Sequence, residues 1–174
     1  MPELTFAEAS EADIPGIQRA AEASWRATYA GIFTPDFITD FLARAYATDR
    51  LRDAIRNLRA GGLHWGFLVA KEGSQIVGFC HFGNRGPGIE LYRLYVVPER
   101  WRQGVGGRLL AMMEARLAAA GVAEYFCYVH SDNRIGQAFY YKWGFVHDAA
   151  RDQHGSHCEW FMVRRLRAAG PPPG

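Results

Sequence analysis

The run Pro98-Glu99-Arg100-Trp101-Arg102-Gln103-Gly104-Val105-Gly106-Gly107-Arg108 carries the residue types best suited to chemistry. It follows a β-rich segment closed by Val97-Pro98 and leads into the helical spacing of Leu109, Leu110, Met113 and Leu117. A strand thus passes through a glycine turn into a helix. The first N–H groups of a helix have no partner within it and carry the positive end of its dipole. Glycine removes the Cβ atoms that would hold a phosphate away from that backbone, so the turn suits an anion such as a pyrophosphate. Two familiar nucleotide loops do not fit. The Gly-x-x-x-x-Gly-Lys-Ser/Thr pattern of a P-loop is absent. The run reads Gly-x-Gly-Gly, past mid-chain and after antiparallel strands, which is not the Rossmann fingerprint.

Composition narrows the classes further. The 174 residues fit one domain, read as residues 1–167, with 168–174 as a flexible Gly/Pro tail. The formal net charge of +2 is too small to make nucleic acid the main partner, and its basic residues are 18 Arg and only two Lys. The three cysteines, Cys80, Cys127 and Cys158, are odd in number and form no C-x-x-C, so neither a disulfide framework nor a zinc knuckle is encoded. No His-x₃-His spacing occurs, and no metal is expected. No run reaches the roughly 18 apolar residues of a membrane span. The start Met1-Pro2-Glu3 has no basic leader, so a cytoplasmic protein is expected.

The elements that must position the glycine turn are legible from period and punctuation. Leu4 to Ala9 reads as a strand, followed by a helix from Ser10 or Asp13 through Ile14, Ile17, Ala21 and Trp25. Thr34-Pro35 caps a second helix with an apolar face of Ile38, Phe41, Leu42 and Ala45. A third runs from Asp49 to Ala60, with Leu51, Ile55 and Leu58, and stops at Gly61-Gly62. Trp65–Lys71, Ile76–Gly83 and Ile89–Val97 form a meander joined by Glu72-Gly73-Ser74 and Arg85-Gly86-Pro87-Gly88. The helix after the glycine turn ends at Gly121, and Ala123–Val129 follows at βαβ spacing, which implies a parallel pair. A helix Asn133–Trp143 and two closing strands, Phe145–Arg151 and His157–Arg165, complete an α/β (α+β) chain. The expectation is a mixed, mostly antiparallel sheet of about six or seven strands with helices on both faces.

Val96, Pro98, Gly104, Gly106, Leu109 and Leu110 fall in register with the Val-x-Pro and Gln/Arg-x-x-Gly-x-Gly/Ala pattern of the GNAT acetyltransferases. Asn133, Phe139-Tyr140 and Gly144-Phe145 match a second signature of that family, Asn-x₅-Phe-Tyr-x₃-Gly-Phe, in the right order. The stretches Trp25-Arg26-x-x-Tyr29-x-Gly31-Ile32 and Glu90-Leu91-Tyr92-x-Leu94-Tyr95-Val96 are similar to one bacterial branch of small members. The chain therefore resembles the GNAT family over essentially its whole length. Trp101 is a departure, since it stands where the family has Gln or Arg; Arg102, Gln103 and Arg108 are candidates to supply the missing polarity.

The resemblance implies a splayed parallel strand pair holding acetyl-CoA (coenzyme A) as co-substrate, and transfer of its acetyl group to a primary amine of a small molecule or peptide. By position, the main chain of Leu94, Tyr95 and Val96 would pair with the pantetheine arm. Arg102, Gln103, Gly104, Val105, Gly106 and Gly107 would hold the pyrophosphate, and Asn133 would bond the arm. Tyr140 matches the general acid and Glu90 the base, with water, His81 or His130 as other bases. Trp25, Tyr29 and Phe33, with His154 and His157, are candidates for the acceptor mouth. A non-catalytic acyl-CoA-binding module is the alternative. The apolar strand Trp160-Phe161-Met162-Val163 permits a homodimer.

Overall fold

Ser10 and Asp13 set where the first helix begins. The Asp13 carboxylate accepts from the Ser10 N–H at 2.8 Å and from its hydroxyl at 3.0 Å, while Lys71 Nζ donates to it at 2.6 Å. The computed structural model describes residues 3–57, 62–86 and 88–166. Expectations that fell on Met1, Pro2, Leu58, Ala60, Gly61, Pro87 and residues 168–174 lie outside them.

The described helices are α1 (Ile14–Tyr29), α2 (Pro35–Ala45), α3 (Thr48–Arg56), α4 (Val105–Ala119) and α5 (Arg134–Lys142). The strands are β1 (Leu4–Glu8), β2 (Gly66–Glu72), β3 (Gln75–Arg85), β4 (Gly88–Val96), β5 (Glu124–His130), β6 (Val146–His147), β7 (Gln153–His154) and β8 (Cys158–Arg165). Thr34 caps α2 by accepting from the Phe37 N–H at 3.3 Å, with Pro35 in the first turn.

The eight strands form one sheet in the order β1-β2-β3-β4-β5-β8-β6, with β7 also on β8. Every pairing is antiparallel except that of β4 with β5. The expected closing strand Phe145–Arg151 is a correction. It breaks after His147, because the Asp148 carboxylate draws in the Ala150 N–H at 3.2 Å and starts the 3₁₀ turn Ala149–Arg151. Only β6, Val146–His147, remains of it, and β7, Gln153–His154, lies beyond it.

Adjacent residues of β3 identify the two faces, since successive side chains alternate across a sheet. Phe79 meets Tyr46 and Tyr95, on the side of α1 and α2. Its neighbour Cys80 meets Met113 of α4, sulfur to sulfur at 3.8 Å. Leu109, Leu110, Met113 and Leu117 are fully buried, each contributing about 1.5–3 kcal/mol of burial. α5 lies on the same side as α4: Gly107 has no Cβ, and one placed there would fall 2.1 Å from Trp143 Cζ2. The helices therefore cover both faces, and the parallel pair lies between them.

Candidate active site

The site begins where β4 ends. Val97 N–H donates to Val77 of β3 at 2.9 Å, so by the antiparallel alternation the main-chain groups of Val96 and Leu94 point to the opposite edge. On that edge β5 does not meet them. The parallel ladder has one registered pair, Glu90 with Phe126, and no pair is registered beyond it. Leu94, Tyr95 and Val96 thus border a gap with one side unpaired by β5. The Val96 carbonyl accepts two bonds, from Ser24 Oγ at 2.8 Å and Trp101 Nε1 at 2.7 Å. Trp101, the departure from the family pattern, serves the end of β4.

The glycine turn follows. Arg102 has φ 60° and Gly104 φ 83°, both left-handed, a region that glycine enters freely and arginine rarely. α4 then starts with no side-chain cap at Gly104. Among the described residues, the N–H groups of Val105, Gly106 and Gly107 have no hydrogen-bond partner. Three amides and a helix dipole converge with no carboxylate against them, which fits a phosphate. Gln103 is partly engaged, donating to the Glu99 carbonyl at 2.8 Å and accepting from Arg100 at 3.3 Å. Arg108 is turned away from the loop, its guanidinium 4.2 Å over the Phe6 ring.

α5 brings Asn133 and Tyr140 to the same side as this turn. Asn133 is buried and caps α5, its Oδ1 accepting from Gly136 N–H at 2.9 Å. Its Nδ2 donates across to the Tyr29 hydroxyl at 3.4 Å, which lies 3.5 Å from the Tyr95 hydroxyl. Tyr140 packs edge-on against Phe139 and Phe145. Burial first, then the thiols of Cys127 and Cys80, push its hydroxyl pKa well above the ordinary value, so it keeps its proton at neutral pH.

Across the sheet, on the α1–α2 side, lies a cavity of about 760 Å³. Trp25, Tyr29 and Phe33 line it, together with Glu90 and Tyr95. Trp25 stacks on Phe41 at 4.1 Å, and Phe33 on Phe37 at 4.5 Å. Glu90, only 5% exposed, is bonded by Arg85 at 3.1 Å. Burial, opposed by Arg85 and assisted by the nearby Glu159, raises its pKa above the ordinary carboxylate range.

The histidines divide. His130, His154 and His157 line the cavity, and His130 Nδ1 accepts from the Asp132 N–H at 3.1 Å. His81 does not reach it. It is packed among Trp65, Phe67 and Tyr92 with both ring nitrogens unpartnered, and burial aided by Arg93 pushes its pKa down to about 3. Among the described residues, no cluster of three or more His, Cys, Asp or Glu is arranged to hold a metal.

Several lining residues escaped the sequence reading. Phe37 and Phe41 follow Phe33 at four-residue steps, a periodic signal that marks them as one helical face. Tyr46, Arg85, Tyr128 and Glu159 also line the cavity, and no local signal identifies them because they converge from separate elements.

The family model of the GNAT acetyltransferases matches residues 26–145. Over 133 residues the chain is 33% identical to a spermidine N(1)-acetyltransferase of Thermoplasma acidophilum, covering 76% of this chain and 82% of that protein. It is 30% identical over 135 residues to an uncharacterized N-acetyltransferase of Bacillus subtilis, covering 75% of this chain and 73% of the relative. The fold superposes on the crystal structure of a PaiA N-acetyltransferase from T. acidophilum in complex with coenzyme A. That match has a TM-score of 0.85 and 29% identity over 94% of this chain and 99% of the other.

Proposed function

Because the chain belongs to the GNAT acetyltransferase family, we propose that it transfers an acetyl group from acetyl-CoA to a primary amine of a small molecule or peptide. The observation that carries this reading is the unpaired edge of β4 beyond Glu90, beside the uncapped start of α4. The diphosphate end belongs on the α4–α5 side and the acceptor in the aromatic cavity on the α1–α2 side. The relative that acetylates spermidine supports a small cationic acceptor.

Acetyl-CoA supplies an acetyl group activated as a thioester. The N–H groups of Val105, Gly106 and Gly107 receive the pyrophosphate, and Arg102, which has no side-chain hydrogen bond among the described residues, adds a cation beside it. The N–H groups of Leu94 and Val96 receive the arm and the acetyl oxygen, a small oxyanion site. An alkylamine is about 99.9% protonated at pH 7, given a pKa near 10. Glu90, directly or through water, takes the proton of the bound ammonium so that the neutral nitrogen can attack the thioester carbon, and a second nitrogen proton leaves to water as the amide forms. Tyr140 gives its proton to the departing sulfur as the C–S bond breaks. Its position on the α4–α5 side, away from the acceptor cavity, suits that role. The products are an N-substituted acetamide and free thiol.

The test measures thiol release from acetyl-CoA against a panel of primary amines, with calorimetric titration of CoA. Amine-dependent thiol release supports the reading. Binding without turnover on any amine leaves only an acyl-CoA-binding module, and absence of binding removes the reading altogether.

A further inference from the structure

The cavity holds two carboxylates in different circumstances. Glu90 is answered by Arg85 at 3.1 Å. Glu159 has no ion-pair partner among the described residues. The other guanidinium lining the cavity, Arg93, is already engaged: it lies 4.5 Å over the Tyr46 ring and donates to the Ala45 carbonyl at 2.8 Å.

Register fixes the surroundings of Glu159. On β8 it stands opposite His130 of β5 and, on its other side, Gln153 of β7. Directly opposed residues put their side chains on the same face about 4.5–5.5 Å apart at Cβ. His130 in turn meets Phe33 at 5.1 Å, edge to face. An unpaired carboxylate beside aromatic rings in a partly desolvated cavity is chemistry that recognises an ammonium group, by charge and by the ring quadrupole.

We propose that Glu159 is the anchor for a second cationic group on the acceptor, so that the preferred acceptor is a diamine or longer polyamine rather than a simple alkylamine. This rests on the acetyltransferase reading above. The reacting nitrogen sits at the gap beside Glu90, and the distal ammonium reaches toward Glu159 and Phe33. A cavity of about 760 Å³ holds such a flexible chain. Glu159 is then a specificity-determining residue, with no part in the proton transfers.

The experiment compares a straight-chain diamine with a monoamine of equal length, for the native protein, Glu159→Gln and Glu159→Asp. The native protein should prefer the diamine in kcat/KM. Glu159→Gln should cut that preference about ten- to a hundredfold through the KM of the diamine, as expected for loss of one charged hydrogen bond. Glu159→Asp, which keeps the charge, should recover part of it. No preference in the native protein, or one unchanged by Glu159→Gln, overturns the proposal. Should the native protein release no thiol with either amine, the acetyltransferase reading falls, and the Glu159 proposal is decided by titrating a bis-quaternary ammonium alkane. A tenfold weaker affinity in Glu159→Gln supports it, and equal affinity overturns it.

Discussion

Gly107→Ala places a methyl group at the contact on which the geometry of the site depends. In an exposed helix the change is favourable by about 1 kcal/mol. Here the new Cβ lies 2.1 Å from Trp143 Cζ2 and 2.9 Å from Cη2, so the indole must retreat by more than an ångström to reach ordinary contact at 3.4–4 Å. A rigid ring at the end of α5 cannot fold aside as a flexible side chain would. Overpacking of this kind costs about 3 kcal/mol, at the upper end of the usual range. The net loss is about 2 kcal/mol, or about 4–8 °C in unfolding temperature for a chain of this size. The retreat also carries Tyr140, three residues before Trp143, away from the gap. Misplacement of a reacting group by about 1 Å lowers turnover by up to about a hundredfold. Thermal unfolding and initial-rate assays read both effects, and Gly107→Ala/Trp143→Phe should recover part of each. A Gly107→Ala protein that melts higher and turns over normally would refute the idea that this contact seats α5.

Glu90→Gln should lower turnover at pH 7 by about 10²- to 10⁴-fold, with recovery at alkaline pH as more amine becomes neutral. Since burial raises the Glu90 pKa and Arg85 lowers it, Arg85→Met should move the acidic limb of the native pH–rate profile to higher pH. Tyr140→Phe should reduce kcat by about ten- to a thousandfold with CoA affinity nearly unchanged, as calorimetry would reveal. Burial opposes ionisation of Asp13, but the bonds from Lys71 and Ser10 outweigh it and hold its pKa below the ordinary value. The stabilisation is then present above the unfolded pKa of about 3.9 and is lost as pH falls through the folded value. Asp13→Asn should therefore cost about 1–3 kcal/mol at pH 7, and its deficit in denaturant titrations should shrink as the solution is acidified below about pH 4.

The parts legible in the sequence were those whose cause is local. The glycine turn, the caps at Ser10 and Thr34, the hairpin meander and the α4 face all follow from residue period and punctuation. Asn133 matches a family position expected to bond the cofactor arm, and its side chain caps α5, a role visible in the local spacing to Gly136. The strand expected over Phe145–Arg151 ran past its β-favouring residues, Phe145 and Val146; from Asp148 on, the residues disfavour a strand and the Asp148 carboxylate accepts from the Ala150 N–H instead. The cavity was half visible. Trp25, Tyr29 and Phe33 lie near one another in sequence, whereas Glu159 reaches the same space only through pairing of β8 with β5 and β7. Long-range register of that kind has no local signature. Trp101 looked like a lost polar residue, yet its indole N–H performs a polar task at Val96.

That task has a wider effect. Two strands side by side tend to zip together, because each bare edge offers the other its missing bonds. With both lone pairs of the Val96 carbonyl engaged by Ser24 and Trp101, the free end of β4 offers β5 no acceptor at that point. Closing the fork there would sacrifice two bonds of about 1 kcal/mol each. The indole and the serine hydroxyl together behave as a wedge that keeps this end of β4 from zipping onto β5.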